Sequence, residues 1–207
     1  MIEGLDGAGK RTLAEKLTAA LAERGRSIGR LAFPRYGSDV HADLVGDALH
    51  GRLGDLADSV YGMAVLFALD RRGAAEDIRA DLARHDVVLL DRYVASNAAY
   101  GAARLHQDAR GSFVEWVRGI EIDRFRLPVP DLHLLLRVSP ELAAIRSAHR
   151  ERTESDRARD DWESDDGLQA RCATVYDQLA ADGWLAPWHV VDGTSTMDFS
   201  ALAELVS

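Results

Sequence analysis

A parallel β-sheet with helices on both faces is the fold class this sequence predicts, and three observations carry the prediction. Short apolar runs that end at turns alternate with long amphipathic stretches along most of the chain, which is the pattern of βα units. The glycine-rich "EGLDGAGKRT" of residues 3–12 runs directly into a helical pattern, as a loop built to hold phosphate does. At 207 residues the chain suits one domain with one core, so residues 1–207 are taken as a single domain with a sheet of about five strands.

The elements follow in order. Only Met1 and Ile2 precede Glu3, so the strand that should carry the loop is a stub where buried strands run to about five or six residues. The expectation is that the natural start lies upstream. Further strands are predicted at 27–33 (SIGRLAF), 87–90 within DVVLLDRY, 132–138 (LHLLLRV) and 188–191 within PWHVVDG. Apolar residues at helical spacing mark 10–23, 56–84, 139–148, 160–181 and 199–206, and another helix is expected after Gly111. Residues 149–166, dense in Arg, Asp and Glu, stand out as a mobile insert.

Composition narrows the function classes. Hydrophobic residues make up 47% of the chain, but charges interrupt them throughout, and no apolar run approaches the roughly 18 residues that cross a bilayer. The N-terminus has neither the basic nor the apolar stretch of a secretory signal, and a single cysteine, Cys172, permits no internal disulfide. A cytoplasmic protein without a membrane partner is expected. A formal net charge of −9 argues against a general nucleic-acid binder, while a small anion needs only a local positive cluster. The seven histidines lack metal-ligand spacing.

Gly4, Gly9 and Lys10 satisfy G-x-x-x-x-G-K, with Gly7 and Ala8 between them. The glycines let backbone N–H groups turn toward phosphate oxygens, and the lysine reaches the outer phosphates. Arg11 stands where the pattern places a serine or threonine hydroxyl for magnesium, and a guanidinium offers only donors. Thr12 lies one position on, about 100° around the helix, and is no simple substitute. Metal would then lean on carboxylates, water and the phosphates themselves. Asp6, Asp91 and Glu163 are the candidate carboxylates, and Arg11 becomes a candidate for neutralising the transferring phosphoryl group. "DVVLLDRY" delivers Asp91 and Arg92 to the carboxyl end of the sheet, where ligands of open parallel sheets bind, and Arg92 is suited to grip a phosphate bidentately. A strand end capped by a surface ion pair is the plain alternative for an isolated DRY.

"EGLDGAGK", "FPRYG" at 33–37, "FALDR" at 67–71, "DRYVASNAAY" at 91–100 and the arginine-rich insert occur in the order found in thymidylate kinases. The chain resembles that family from end to end, and "FPRYG" with "GKRT" is similar to its actinobacterial, mycobacterial-type branch. The resemblance implies a P-loop, nucleoside-monophosphate-kinase fold, a homodimer, and magnesium-dependent transfer of the γ-phosphoryl group of ATP to dTMP. It implies donor-side roles for Gly4, Gly7, Ala8, Gly9, Lys10, Arg11 and Thr12. Asp6 would stand between the acceptor sugar and the metal, and Arg92 would clamp the acceptor phosphate. Phe33, Arg35 and Tyr36 would line the acceptor side, Phe67 would stack on thymine, Arg71 would bond its exocyclic oxygen, and Asn97 would read its ring edge. Tyr100 would crowd C2′ of the sugar.

The insert, at about residues 146–160, resembles the family's lid, with Arg146, Arg150 and Arg157 the expected phosphate contacts. Trp162 would wall the cleft, and Glu163 would join the metal shell. In-line transfer to an ionised phosphate oxygen needs positioning and charge neutralisation rather than a general base. Two other readings share the loop. A deoxynucleoside kinase takes a neutral acceptor and needs a base, and a nucleotide-binding sensor would bind without turnover.

Overall fold

The computed structural model describes residues 1–153 and 166–206. The strands are β1 (Ile2–Glu3), β2 (Ile28–Ala32), β3 (Val87–Asp91), β4 (His133–Arg137) and β5 (Trp188–Asp192). The helices are α1 (Lys10–Glu23), α2 (Val40–Leu49), α3 (Val60–Gly73), α4 (Ala75–Arg84), α5 (Val94–Arg104), α6 (Ser112–Arg118), α7 (Pro140–Thr153), α8 (Asp166–Asp182) and α9 (Phe199–Val206). A 3₁₀ turn, Gly54–Asp58, precedes α3, and a π-helical turn, Gly119–Arg124, continues α6.

All strand pairs are parallel, in the order β2-β3-β1-β4-β5. The two-residue β1 therefore occupies the centre of the sheet, where Ile2 pairs with both Asp91 and Leu134. Its flanks complete the ladder: Leu134 N–H donates to Met1 O at 2.7 Å and Arg92 N–H to Ile2 O at 2.9 Å. Ile2 and Glu3 are both fully buried. This arrangement brings the carboxyl ends of β1, β2 and β3 to one edge.

Leu13, Leu17 and Leu21, spaced by one turn, bury one face of α1 in the core. The deepest helix is α5, in which every residue from Val94 to Ala103 is buried. Its alanines allow close approach on all sides, and Gly101 is required outright, since a Cβ there would lie 2.0 Å from the Phe113 ring of α6. Among the described residues no helix is long and apolar enough to cross a membrane.

Several expectations are corrected. The stretch 56–84 is two helices rather than one, started by Ser59, whose side chain accepts from Gly62 N–H, and broken at Ala74. At the end of α3 only glycine fits, since a Cβ on Gly73 would meet Asp39 Oδ2 at 2.7 Å and an Arg35 nitrogen at 2.8 Å. Two helices had no sequence prediction. Helix α2 is capped by Asp39, which accepts from His41 N–H, and α5 starts within the "DRYVASNAAY" motif and runs on to Arg104. Helix α7 runs to Thr153 rather than stopping at 148, so Arg146 sits within a helix. The predicted start at 160 of the following helix, and the lid beyond 153, lie outside the described residues.

Candidate active site

The phosphate loop leaves β1 at Gly4 and meets α1 at Lys10. Gly4, Gly7 and Gly9 take φ of 144°, 78° and 102°, where a side chain is strained. At Gly7 there is also no room, because a Cβ would sit 2.1 Å from the Ala143 carbonyl oxygen of α7. Lys10 is buried, with Nζ donating to the carbonyls of Gly4 at 3.1 Å and Leu5 at 2.8 Å. Desolvation, reinforced by Arg92, pulls its pKa from 10.5 to about 8.

Arg146 ties this loop to its surroundings. Its guanidinium donates to Ala8 O at 3.1 Å and to Gly193 O, after β5, at 3.2 Å. Arg11 and Thr12 are exposed. Arg11 Nε donates to Glu15 at 3.0 Å, one turn along α1, so the structure gives it a surface ion pair rather than a contact with the loop. Arg157, Trp162 and Glu163, and the side chain of Arg150, lie outside what the structure describes.

Asp6 is the hub beside the loop. Arg92 Nη2 donates to Asp6 Oδ1, and the Tyr100 hydroxyl donates to Oδ2 at 2.5 Å. Burial alone would raise the pKa of Asp6, but Arg92 and then Lys10 outweigh it and hold the group at about 2. For Arg92 burial again opposes the charge, and Asp6 overcomes it, leaving the guanidinium pKa well above its ordinary value. Arg92 has φ of 65°, an uncommon conformation for a residue with a side chain and one that clusters at functional sites. Its Nη1 also donates to Ser96 Oγ at 3.0 Å.

A cleft opens from this hub. Of the predicted residues, the structure brings Asp6, Phe33, Tyr36, Phe67, Arg71, Arg92, Asn97 and Tyr100 together in its lining. Phe33–Pro34 is a cis peptide. Sequence reasoning missed Leu49, Val60, Ala64 and Ser96, which also line it. The first two lie at the ends of α2 and α3, whose boundaries were not legible. Arg35 is a correction, since it is absent from the lining. Its backbone N–H and Nε donate to Asp70 at 3.0 and 2.7 Å, and Nη2 donates to Asp39 and to Asp70 O, each at 2.7 Å. These bonds fix the turn that presents the half-exposed Tyr36.

At the far end, Arg71 is almost fully buried and forks onto Glu121 through Nε at 2.5 Å and Nη2 at 2.8 Å. Burial disfavours its charge, and Glu121 more than compensates, raising its pKa. Asn97 Nδ2 donates to Ala64 O at 3.0 Å and to Glu121 Oε1 at 2.8 Å. With both N–H groups engaged, its amide offers a ligand only the acceptor oxygen. Glu121 was not anticipated. The sequence around it, RGIEIDRFR, carries Asp123 and three arginines as well, so nothing local marks Glu121 as the buried acid.

Among the described residues, no group of three or more His, Cys, Asp or Glu is placed to hold a metal. A magnesium ion on polyphosphate needs only one or two protein carboxylates beside phosphate and water. Asp91 fits that requirement, because its Oδ1 is buried without a hydrogen-bond partner at the end of β3. Asp6 and Asp91 both act on the charge of Lys10.

A five-stranded parallel sheet whose first loop is shaped for phosphate, with an arginine-floored cleft at the neighbouring strand ends, defines a P-loop phosphotransferase of the nucleoside-monophosphate-kinase type. The family profile described as thymidylate kinase matches residues 2–197. The thymidylate kinase of Mycobacterium tuberculosis (strain ATCC 25618 / H37Rv) is 57% identical over 190 residues, covering 92% of this chain and 89% of that relative. The thymidylate kinase of Xanthomonas oryzae pv. oryzae (strain PXO99A) is 36% identical over 95% of this chain and 76% of its own. That of Bifidobacterium longum (strain NCC 2705) is 36% identical over 86% of this chain and 82% of its own. The chain belongs to the thymidylate kinase family.

Proposed function

We propose that the loop at 4–12 holds ATP, that the cleft beside Asp6 holds dTMP, and that the two meet at Arg92. The reaction is the ATP-dependent phosphorylation of dTMP to dTDP. The observation that carries the residue assignment is the Asp6–Arg92–Tyr100 cluster, which joins the phosphate loop on one side to a cleft with an aromatic wall and polar end on the other.

Lys10 swings from the Gly4 and Leu5 carbonyls onto donor phosphates, and Arg146 steadies the loop beneath them. Arg92 holds the acceptor phosphate, with Tyr36 closing over it. Asp6, ionised at any physiological pH, faces the sugar, and Tyr100 limits the space at C2′. Phe67 stacks on the base, Arg71 donates to its exocyclic oxygen, and Asn97 accepts from its ring N–H. Asp6 and Asp91 would hold magnesium, which when bound neutralises and orients donor phosphate oxygens. The attacking phosphate oxygen is already ionised, so these side chains position and neutralise rather than remove a proton.

A homodimer in the cytoplasm is the assembly and compartment we infer. Tyr61 and Val65, exposed one turn apart on α3, supply an apolar strip, with Tyr61 supported edge-on by Phe113 and Trp116. A monomeric mass by light scattering would refute that assembly.

Coupled detection of ADP release with magnesium and ATP, offering dTMP, dUMP, dCMP, dGMP and thymidine, tests the function. Turnover strongest with dTMP and weaker with dUMP is expected. Preferred turnover of thymidine would make the protein a nucleoside kinase, and no turnover despite nucleotide binding would make it a sensor.

A further inference from the structure

We propose that Glu121, which lines no part of the cleft, is the positioning residue that sets base selectivity, admitting a 4-oxo pyrimidine with a ring N–H and refusing a 4-amino pyrimidine. The inference rests on the cleft being the base site. It starts from one fully buried carboxylate on the π-helical turn Gly119–Arg124, whose backbone is pinned by Leu127 N–H donating to Glu121 O at 3.1 Å. Such turns are rare and often sit at functional sites.

Both oxygens of Glu121 are committed. Oε2 takes Arg71 Nε, while Oε1 takes Arg71 Nη2 and Asn97 Nδ2, each at 2.8 Å. Asn97 spends its second N–H on Ala64 O. Two acceptors thus determine which end of the amide is which. Among the described residues neither Asn97 Oδ1 nor Arg71 Nη1 has a hydrogen-bond partner, and both residues line the cleft. One carboxylate oxygen therefore places a free acceptor beside a free donor.

That pair complements a ring N–H next to a carbonyl, as in thymine and uracil. Cytosine presents the inverse, a ring acceptor next to an amino donor. Against it, the Asn97 oxygen would face a lone pair and the Arg71 N–H would face an N–H. Sites built on buried hydrogen bonds reject the wrong pattern strongly because the mismatched groups are left unpaired. The 5-methyl group plays no part here, so dTMP and dUMP are equivalent to this device.

The experiment is the kcat/KM of wild type and Glu121→Gln with dTMP, dUMP and dCMP, alongside circular dichroism. Glutamine keeps the shape but offers one acceptor where three donors converge. The dTMP-to-dCMP ratio is expected to fall at least about tenfold, through a higher KM for dTMP with kcat nearly held, while the dTMP-to-dUMP ratio stays as in wild type. A role in stability alone would weaken all three acceptors together, and an unchanged dTMP-to-dCMP ratio overturns the proposal. If Glu121→Gln does not fold, Glu121→Asp, which retains the charge but not the reach, carries the same ratio test. Wild type that fails to turn over dTMP would refute the base site itself, whereas wild type selective for dTMP with a variant equally selective refutes only the role of Glu121.

Discussion

Binding of ATP should be coupled to proton uptake at alkaline pH, and Lys10 should be the group responsible. In the free protein its pKa is lowered to about 8 by desolvation and by Arg92, and its Nζ donates to two loop carbonyls. A triphosphate in the loop supplies the opposite charge and returns the pKa to the ordinary lysine value of about 10.4 or above. Between those values the complex holds more protons than the free protein, so affinity falls as pH rises through the window. At pH 8 about half a proton is taken up per ATP, and at pH 9 about 0.9, with each unit above 8 weakening binding by up to about 1.4 kcal/mol. The nucleotide adds little, because a phosphate whose second ionisation lies near 6 is already fully charged at pH 9. Calorimetry at pH 9 in two buffers of different ionisation enthalpy measures the uptake directly, and Lys10→Ala should abolish it. Uptake below about 0.2 protons at pH 9 in the wild type would refute the assignment.

Three further outcomes are expected. Arg92→Ala should lower kcat by about 100- to 1000-fold with the circular dichroism spectrum unchanged, and a near-normal rate would remove Arg92 from the site. Gly7→Ala should cost about 2 kcal/mol or more, read as a lower urea midpoint, because its φ of 78° and the Ala143 carbonyl both exclude a Cβ; an unshifted midpoint would contradict the packing of the loop against α7. A methyl contact in the cleft is worth about 1 to 3 kcal/mol, so dUMP should be phosphorylated with a kcat/KM reduced by about ten- to 200-fold, and equal efficiency would remove Phe67 and its neighbours from the base site.

What was legible in the sequence was whatever local chemistry dictates. The glycines and Lys10 announce the loop because only that pattern turns N–H groups inward, and the strands show as apolar runs. Asn97 and Tyr100 could be assigned only through family resemblance, because on α5, buried from Val94 to Ala103, no periodicity separates a cleft residue from a core residue. Helix α2 escaped because its start depends on an aspartate cap, and aspartates are common outside caps. The partners of Arg35 and Arg71 were invisible for a different reason: Asp70 lies 35 residues from Arg35, and Glu121 lies 50 from Arg71. Arg11 pairs with Glu15 one turn along α1 at the surface, a contact that the phosphate-loop motif does not signal, and exposed pairs of this kind add little to stability.

Glu3 links the central strand to Arg92. A carboxylate in the middle of a parallel sheet is costly, and burial raises its pKa, yet both oxygens are satisfied. Tyr93 N–H donates to Oε1 at 2.9 Å, and Ser96 Oγ and Tyr176 Oη reach Oε2 at 2.6 and 3.2 Å. A serine hydroxyl has one proton and two lone pairs. Ser96 gives its proton to Glu3, so it accepts from Arg92 Nη1 at 3.0 Å. Glu3 therefore fixes the direction of the Ser96 hydroxyl, the hydroxyl fixes one arm of Arg92, and Asp6 fixes the other. An arginine held at φ of 65° and anchored at both ends is set before any nucleotide arrives, so binding energy need not be diverted to ordering it. Glu3 thus places one buried carboxylate beneath Arg92 and, through Ser96, sets the direction of its second arm.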